Sequence, residues 1–561
     1  MNNNEKLQHN LKSELFKTLI KNFPTTNSYS HLKDIISLLM EALSKGNIYI
    51  RVDKQYPLTK FLGNGWPTEH IKELTASGWL KGNDSPVILT ENRLYFRRWH
   101  EEMNDILDTL IYKSQQKPDE FYSGSETLIP ISHLNSEQQF AVNAISNHNV
   151  ILLSGGPGTG KTTTIVQMIM NAISINKNLC IGLAAPTGKA ARRLEETIKK
   201  SIDNVDGIYK DILLGFPCLT LHRWLKATES SFLRNKSNLL PLDILIIDEM
   251  SMVDIPLMQA VLNALPKMSQ LILVGDPDQL PPIGSGAIWQ ELQCKDVRTK
   301  FGTSAIHLEK LYRNKEELAD LASIVRTKSL RFFFSKLSDI PTSTKLRISS
   351  STIDNIPSSI LKIITQHQQK LSELSNQIDL NDFDSMHLNK IHSINKLINS
   401  LEELIVLCPR RYGLWSVDHI NKLILGSKLD GGINNWPQST PVICGENQPE
   451  LNLSNGDVGI ILGEGEFKRI LFKVNLSDNE LGIQLVHPIR LKKIDPAIAI
   501  TIHKSQGSEA NHVICLWPDA FESMFLDNQS KYDEDYAKRL IYTAITRAKS
   551  KLDLAIPFQN Q

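Results

Sequence analysis

Cysteine is scarce in this chain and follows no pattern. None of the six cysteines belongs to a Cys-x-x-Cys pair or to a spacing with histidine that binds zinc. We therefore expect reduced thiols and no structural metal site of that kind. The six are Cys180, Cys218, Cys294, Cys408, Cys444 and Cys515.

Long apolar runs are also missing. No stretch reaches the roughly 20 apolar residues that cross a bilayer as a helix. Residues 1–13 are polar and carry acidic as well as basic side chains, unlike an export signal. We therefore expect neither export nor membrane insertion, and we predict a cytoplasmic protein.

The chain has no excess of charge of one sign. Its 62 Lys and Arg balance 61 Asp and Glu, so the molecule as a whole has no positive field that would attract nucleic acid. Any DNA-binding site must be a local groove. Internal repeats of about 20 to 50 residues, which would indicate a solenoid, are not evident either.

What the sequence does have is the length and composition of several globular domains. Its 561 residues, 41% hydrophobic and 22% charged, predict three or four domains. Helical apolar spacing over 31–45, a strand over 47–52, a hairpin over 86–96 and a helix to about 112 predict a small α+β domain. We assign it to residues 1–115, followed by a polar linker over 116–130.

Apolar strands that each end at a helix-opening loop follow the linker. One series occupies 150–153, 180–185, 244–247 and 271–274, and a second occupies 404–407, 498–502, 513–516 and 552–556. This alternation is typical of parallel sheets with helices on both faces. We predict an α/β fold with two motor-like cores, over 131–310 and 311–561. The second core is predicted to carry a helical insertion at about 327–400 and a β-rich insert at about 438–488, where Asn455-Gly456-Asp457 indicates a turn.

A phosphate-binding loop lies between a strand and a helix of the first series. Its sequence is Gly155-Gly156-Pro157-Gly158-Thr159-Gly160-Lys161-Thr162, followed by Thr163. Glycines let backbone N–H groups converge on phosphates, and the helix N-terminus adds its positive end. We expect Lys161 to contact the β- and γ-phosphates of ATP and the Thr162 hydroxyl to ligate Mg²⁺. The alternative is an ordinary glycine-rich turn.

Polar side chains follow the third and fourth strands of the first series. Asp248 and Glu249 end the strand over 244–247, at the edge where open α/β sheets bind ligands. Asp248 is expected to hold Mg²⁺ through water, and Glu249 to polarise the attacking water. Gln279 follows the strand over 271–274, and its amide suits a sensor of the γ-phosphate. The alternatives are a solvated acidic turn and a loop glutamine.

The ordered set of motifs resembles superfamily 1 helicases and, within them, the RecD family. The likeness runs from residue 134 to residue 548. It rests, in family order, on residues 134–138, 155–164, 185–191, 220–223, 248–249, 275–280, 311–313, 409–411, 455–459, 501–509 and 542–548.

The resemblance implies an ATP- and Mg²⁺-dependent helicase that moves 5′-to-3′ on single-stranded DNA. It also implies two RecA-like P-loop NTPase motor domains, an SH3-like form for the β-rich insert and a docking role for the N-terminal α+β domain. By the same likeness, Gln138 recognises the adenine edge and Arg313 and Arg547 are arginine fingers from the second motor. Gln506 and Glu509 link the nucleotide to DNA. A surface glutamine and surface ion pairs are the alternatives for Gln138 and the two arginines.

Three segments offer amides, hydroxyls and cations to a DNA phosphate backbone, as binding without sequence preference requires. Histidines in such segments are more often structural when taken alone. The lysine doublets at 199–200 and 492–493 are interpreted as solvated faces. The residues expected to bind DNA are Pro186, Thr187, Lys189, Thr220, His222, Thr501, His503, Lys504 and Ser505.

The N-terminal stretches 31–52 and 86–99 resemble the RecD subunit of the family's complex, exodeoxyribonuclease V. The likeness implies docking onto a RecC-like partner beside a RecB-like subunit, in a helicase-nuclease that acts on double-strand DNA ends in recombinational repair. No nuclease cluster of carboxylates and lysine is evident, so cutting is expected in a partner. The alternatives are a free-standing RecD-like helicase, a degenerate ATPase that serves as a scaffold, and an RNA helicase.

Overall fold

Two parallel and two antiparallel sheets form the frame of the described part of the chain. The computed structural model describes residues 3–25, 30–53, 62, 65–118, 134–201, 207–228, 231–312, 316–337, 339–340, 343–378, 388–475, 481–518 and 534–557. Within these ranges, no helix has the length and apolar character needed to cross a membrane. The two parallel sheets confirm the predicted α/β fold with two cores.

The N-terminal region is a three-stranded antiparallel sheet packed on helices, in the order β1-β3-β2. Leu32, Ile35, Ile36 and Leu39 are fully buried, as their helical spacing predicts. The predicted helix, strand and hairpin are confirmed, whereas α1 and α3 were not predicted. The elements are α1 (Asn3–Asn22), α2 (Ser30–Ser44), β1 (Tyr49–Arg51), α3 (Thr68–Ala76), β2 (Val87–Thr90) and β3 (Arg93–Phe96).

The helix that follows, α4 (Arg97–Gln115), packs on the first motor. Its buried side chains Met103, Ile106 and Leu110 share one core with Val150 and Leu152 of the motor sheet. A parallel sheet needs cover on both faces, and α4 supplies part of it. The predicted boundary at residue 115 places α4 in the N-terminal domain, whereas its buried side chains belong to the core of the first motor.

The first motor is a six-stranded parallel sheet in the order β6-β5-β7-β8-β4-β9. The four predicted strands are confirmed, and β6 and β9 are added at the two edges. The elements are α5 (Ser136–Ala144), β4 (Val150–Gly155), α6 (Lys161–Ile175), β5 (Ile181–Ala185), α7 (Gly188–Ser201), α8 (Gly207–Gly215), β6 (Cys218–Thr220), α9 (Leu221–Trp224), β7 (Ile244–Ile247), α10 (Ile255–Ala264), β8 (Gln270–Gly275), α11 (Ile288–Gln293), α12 (Lys295–Arg298) and β9 (Ala305–Leu308).

The second motor is a five-stranded parallel sheet in the order β10-β19-β18-β11-β17. Its four predicted strands are also confirmed. The elements are α13 (Glu316–Thr327), α14 (Leu330–Leu337), β10 (Leu346–Ser351), α15 (Ser358–Ser375), α16 (Leu388–Leu401), β11 (Leu404–Cys408), α17 (Val417–Leu425), β12 (Pro441–Cys444), β13 (Val458–Leu462), β14 (Arg469–Asn475), β15 (Leu481–Val486), β16 (Ile494–Pro496), β17 (Ile500–Thr501), β18 (Ala510–Leu516), α18 (Glu534–Thr546) and β19 (Ala548–Pro557).

The segment predicted as a helical insertion, residues 327–400, contains a strand of the motor sheet. Strand β10 pairs in parallel with β19, from Leu346 opposite Leu552 to Ser351 opposite Pro557. The purely helical prediction is wrong here because an edge strand is buried on only part of its surface, so its serine-rich sequence lacks an apolar run. Helices α14, α15 and α16 account for most of the other described residues of this segment.

The β-rich insert is a five-stranded antiparallel sheet in the order β15-β14-β13-β12-β16. It packs against α7 of the first motor. Buried Arg192 pairs with Asp457, and Lys473 Nζ lies 2.5 Å from Glu196 Oε1. A Cβ atom built on Gly188 would lie 2.6 Å from Ser454 Oγ. The insert therefore sits directly on the loop that opens α7.

Candidate active site between the two motors

The phosphate-binding loop joins β4 to α6, as its sequence predicts. Gly158 and Gly160 have φ of 82° and 83°, a left-handed conformation that favours glycine. Lys161 Nζ donates to the carbonyl oxygens of Gly155 and Gly156, at 2.6 and 3.0 Å. The lysine ammonium group therefore lies over the loop, where it can meet a phosphate.

Asp248 and Glu249 lie at the carboxyl end of β7. Asp248 Oδ1 accepts a hydrogen bond from the backbone N–H of Glu249 at 2.8 Å. Burial, and then the neighbouring Glu249 charge, raise the pKa of Asp248 to about 6. A divalent cation would relieve this crowding of buried carboxylates. The donor set of Asp248 with the Thr162 hydroxyl therefore fits Mg²⁺, which prefers oxygen ligands.

Arg547 reaches the same place from the second motor. It follows α18, and only 1% of its surface is exposed. Its Nη2 donates to Gln279 Oε1 at 2.7 Å, its Nη1 to the Ser508 carbonyl at 3.1 Å and its Nε to the Thr543 carbonyl at 3.2 Å. The guanidinium group is thus fixed beside the amide that was predicted to sense the γ-phosphate.

One cleft collects these groups from both motors. Its first-motor walls are the phosphate-binding loop, one face of α7 and the ends of β7 and β8, and its second-motor wall includes the loop after β17 and the end of α18. The lining residues are Gly156, Pro157, Gly158, Gly160, Lys161, Thr162, Thr163, Ala190, Arg193, Leu194, Thr197, Asp248, Glu249, Gln279, Tyr312, Glu509 and Arg547.

Gln138 is buried beside the tip of the phosphate-binding loop. Its Oε1 accepts from the Asn135 N–H at 3.2 Å and from the Tyr312 hydroxyl at 3.1 Å, while its Nε2 lies 3.3 Å from the Thr159 carbonyl. The amide that was predicted to recognise adenine is therefore held by the capping box of α5. Arg313 lies outside the described residues.

The predicted coupling residues, Gln506 and Glu509, both contact the first motor. Gln506 Nε2 donates to the Leu280 carbonyl at 3.0 Å, and the Leu280 N–H donates to Thr543 Oγ1 at 3.1 Å. Glu509 Oε1 accepts from Arg193 Nη2 at 2.5 Å. Gln506 and Thr543 thus join the loop after β8 to the second motor, and Glu509 joins α7 to it.

Three residues of the site were missed by sequence reasoning. The Tyr542 hydroxyl donates to Asp276 Oδ2 at 3.1 Å, and Arg539 Nη1 donates to the carbonyl oxygens of Pro277 and Gln279. Arg193 lies between Glu249 and Glu509. Helical spacing within 539–547 and within 189–193 places these residues near the predicted ones, but their partners are distant in sequence.

Known proteins share sequence with this chain. Residues 138–285 match the family described as AAA domain, and residues 496–555 match the UvrD-like helicase C-terminal domain. The RecBCD enzyme subunit RecD of Buchnera aphidicola subsp. Acyrthosiphon pisum is 32% identical over 524 residues, which cover 87% of this chain and 83% of that protein. The chain belongs to the RecD family.

Two further relatives and one solved structure have lower sequence identity. The RecBCD enzyme subunit RecD of Mycolicibacterium smegmatis is 28% identical, over 92% of this chain and 88% of its own. The ATP-dependent RecD2 DNA helicase of Deinococcus radiodurans is 26% identical, over 74% of this chain and 48% of its own. The crystal structure of Bacteroides Pif1 bound to ssDNA has a TM-score of 0.38 at 19% identity, over 75% of this chain and 92% of its own. Membership confirms the predicted resemblance to RecD and superfamily 1 helicases.

In this RecD-family chain, the first-motor residues predicted to bind DNA lie around α7 and α9. The Thr187 hydroxyl accepts from the Ala190 N–H at 3.2 Å, and the Thr220 hydroxyl caps α9 by accepting from the Arg223 N–H at 3.2 Å. Burial lowers the pKa of His222, whose ring lies 6.1 Å from that of Phe232. Pro186 precedes Thr187 and is partly exposed.

Lys189 lies on the α7 face that meets the second motor, beside the side of the insert that carries Asp457. The Lys189 side chain is partly exposed, but protein surrounds it on most sides. This burial lowers the pKa of Lys189 to about 8. Glu402 and Asp457 oppose this change. The Lys189 ammonium group therefore loses its positive charge as the pH rises from neutral to alkaline values.

The second-motor candidates of this RecD-family chain follow β17. The Thr501 hydroxyl accepts from the Lys504 N–H at 3.3 Å, and Lys504 Nζ donates to Asp495 Oδ2 at 3.0 Å. His503 Nε2 lies 2.7 Å from the Tyr536 hydroxyl, and burial lowers its pKa to about 4. Ser505 is fully buried, and its hydroxyl donates to the Ile502 carbonyl at 2.7 Å. A tight turn uses the Ser505 hydroxyl in this structure, and contact between this segment and DNA stays a prediction.

Proposed function

We propose that this protein is the ATP-dependent motor subunit of a RecBCD-type helicase-nuclease, and that it translocates 5′-to-3′ on single-stranded DNA. The observation that carries the proposal is the single cleft lined by Lys161 of the first motor and Arg547 of the second. A nucleotide in this cleft touches both motors, so its hydrolysis changes how the motors sit against each other. The complex is proposed to act on double-strand DNA ends in recombinational repair.

ATP with Mg²⁺ is the proposed substrate and cofactor. Lys161 and the N-terminus of α6 would face the phosphates, and Thr162 and Asp248 would hold the metal ion. Gln138 and Tyr312 lie at the other end of the loop. Bound Mg²⁺ neutralises charge on the phosphate oxygens. Glu249 orients the attacking water, and Arg547 stabilises the charge that develops on the transferred phosphoryl group.

Coupling to DNA is proposed to run through the loop after β8. This loop contacts Arg547 through Gln279, and it contacts the loop after β17 through Gln506. The loop after β17 also holds Lys504, one of the proposed DNA contacts. A change at the phosphate can therefore move a DNA-gripping loop without a large rearrangement of either sheet.

Lys189 gives this proposal a pH dependence that can be measured. If Lys189 supplies a cation to the DNA backbone, the affinity for single-stranded DNA falls as pH rises through about 8, where the buried ammonium group loses its proton. We expect a several-fold fall between pH 7 and 9 by fluorescence anisotropy at fixed salt. Lys189→Arg keeps its charge over this range and is expected to abolish the fall. An identical decline in both proteins would remove Lys189 from the DNA site.

The test of polarity is strand displacement on duplexes that carry either a 5′ or a 3′ single-stranded tail. We expect unwinding from the 5′ tail and none from the 3′ tail, with ATP hydrolysis stimulated more by DNA than by RNA oligomers. Unwinding from the 3′ tail alone would contradict the proposed direction. Stronger stimulation by RNA would favour an RNA helicase instead.

The partners are proposed from the family and from the N-terminal region, which lies outside the two motor sheets. Co-purification from native cells is expected to recover a RecB-like and a RecC-like subunit, with nuclease activity that the isolated chain lacks. A second candidate, a free-standing helicase, is favoured by the similarity to the RecD2 DNA helicase. Purification of an active chain without those subunits would support that candidate.

A further inference from the structure

Helix α7 carries a basic side chain inside the cleft that the proposed mechanism does not use. The helix begins at the proposed DNA-contacting loop and runs along the cleft, so that Ala190, Arg193 and Thr197 face the nucleotide site one turn apart. Arg193 is the only one of these three that carries a charge. Its guanidinium group extends between carboxylates that belong to different motors.

The two carboxylates are Glu249, at the end of β7, and Glu509, in the loop between β17 and β18. Arg193 Nη2 lies 2.5 Å from Glu509 Oε1, and Arg193 Nη1 lies 3.8 Å from Glu249 Oε1. Only 4% of the Glu509 side chain and 15% of the Glu249 side chain are exposed. Water therefore screens the two carboxylates weakly, whereas the Arg193 side chain, which is 35% exposed, is partly screened.

We propose that Arg193 is a positioning residue for ATP hydrolysis, which holds Glu249 toward the attacking water only when the second motor brings Glu509 into place. This inference rests on the proposed function. Glu249 has a left-handed backbone, with φ of 55°, and sits next to the Asp248 carboxylate, which repels it. The guanidinium group hydrogen-bonds to Glu509 and lies 3.8 Å from Glu249 Oε1, so its positive charge attracts Glu249 against this repulsion.

The consequence is a second route from DNA to the nucleotide. Helix α7 starts at the Thr187–Lys189 loop and is tied to the β-rich insert through Arg192 and Glu196. Arg193, on the same helix, lies 3.8 Å from Glu249, the carboxylate proposed to orient the attacking water. A displacement of α7 by DNA therefore reaches Glu249 directly, in parallel with the route through Gln279 and Gln506.

The test compares Arg193→Ala and Arg193→Lys in the full chain, by steady-state ATP hydrolysis with and without a single-stranded oligonucleotide. We expect Arg193→Ala to lower the DNA-stimulated kcat about 100-fold through a misplaced carboxylate, with KM for ATP changed less than about threefold. Arg193→Lys is expected to restore part of kcat. An unchanged kcat, or a loss confined to KM, would overturn the positioning role.

Two controls separate this inference from the proposed function. Lys200→Ala removes an exposed charge from the same helix and is expected to leave kcat unchanged. Lys161→Ala, measured in the same experiment, is expected to abolish ATP hydrolysis. If it does not, the proposed function fails rather than the role of Arg193. Thermal denaturation checks folding, and Arg193→Lys carries the test if the alanine variant unfolds.

The link to the second motor is tested by combining Arg193→Ala with Glu509→Gln. Because both residues act on one step, the double variant is expected to be no slower than the slower single variant. Losses in kcat that multiply would show independent roles and overturn the proposed bridge.

Discussion

Replacing Lys161 by alanine is expected to lower kcat for ATP hydrolysis about 1000-fold, because it removes a positive charge from the proposed phosphate site, which is partly buried. The folded state loses little, since Lys161 Nζ donates only to the carbonyl oxygens of its own loop in this structure. Strand displacement is expected to disappear with hydrolysis.

The measurement is DNA-stimulated phosphate release, with the melting temperature recorded for the same preparation. Lys236→Ala is a matched control, because Lys236 is an exposed lysine of the first motor that lies away from the cleft. A Lys161→Ala protein that hydrolyses ATP at the rate of the unmodified chain would mean that the cleft is not an ATPase site. The degenerate scaffold would then be the better account.

Replacing Arg547 by alanine is expected to lower kcat by a similar factor, on the order of 1000-fold, as the loss of an arginine finger does. ATP binding is expected to survive, because the phosphate-binding loop belongs wholly to the first motor. Arg547→Lys is expected to recover little, since an ammonium group cannot reproduce the fork that reaches both Gln279 and Ser508.

Arg547→Ala also has a cost in stability that Lys161→Ala does not have. Arg547 is almost fully buried and donates hydrogen bonds to three acceptors, two of them backbone carbonyl oxygens of the second motor. Leaving buried acceptors unpaired costs about 1–3 kcal/mol for each group. We therefore expect a lower melting temperature, and nucleotide binding must be measured separately with a fluorescent ATP analogue. Loss of binding in a folded Arg547→Ala protein would contradict the finger role.

The sequence predicts the two motors well because their central strands are buried on both faces. Such strands need continuous apolar runs, as in Ile244–Ile247 and Gln270–Gly275, and these runs are visible without any structure. The phosphate-binding loop is predictable for a similar reason. Its conformation is set locally, by glycines at positive φ between a strand and a helix.

Edge strands and long-range partners are harder to predict. Strands β6, β9 and β10 are short or only partly buried, so no apolar run distinguishes them. Whether α4 belongs to the N-terminal region or to the first motor depends on which sheet it packs against, and the local sequence does not specify this. The burial of the Ser505 hydroxyl depends on a turn of three residues.

The pairs that build the cleft depend on the approach of the two motors. Gln279 and Arg547 are 268 residues apart, and Arg193 and Glu509 are 316 residues apart. The sequence indicates that these residue types are present in a suitable order. It does not contain the distance between them, so a partner such as Arg193 is found only once both motors are seen together.

The central claim is that the two motors share one ATP, with Lys161 from one and Arg547 from the other. The most direct measurement is an experimental structure of the chain with ADP, Mg²⁺ and an aluminium fluoride that imitates the transferred phosphoryl group. If the two motors share one ATP, the Lys161 ammonium and the Arg547 guanidinium groups both lie within hydrogen-bond distance of the fluoride. A fluoride that contacts Lys161 while Arg547 faces a separate surface would contradict it.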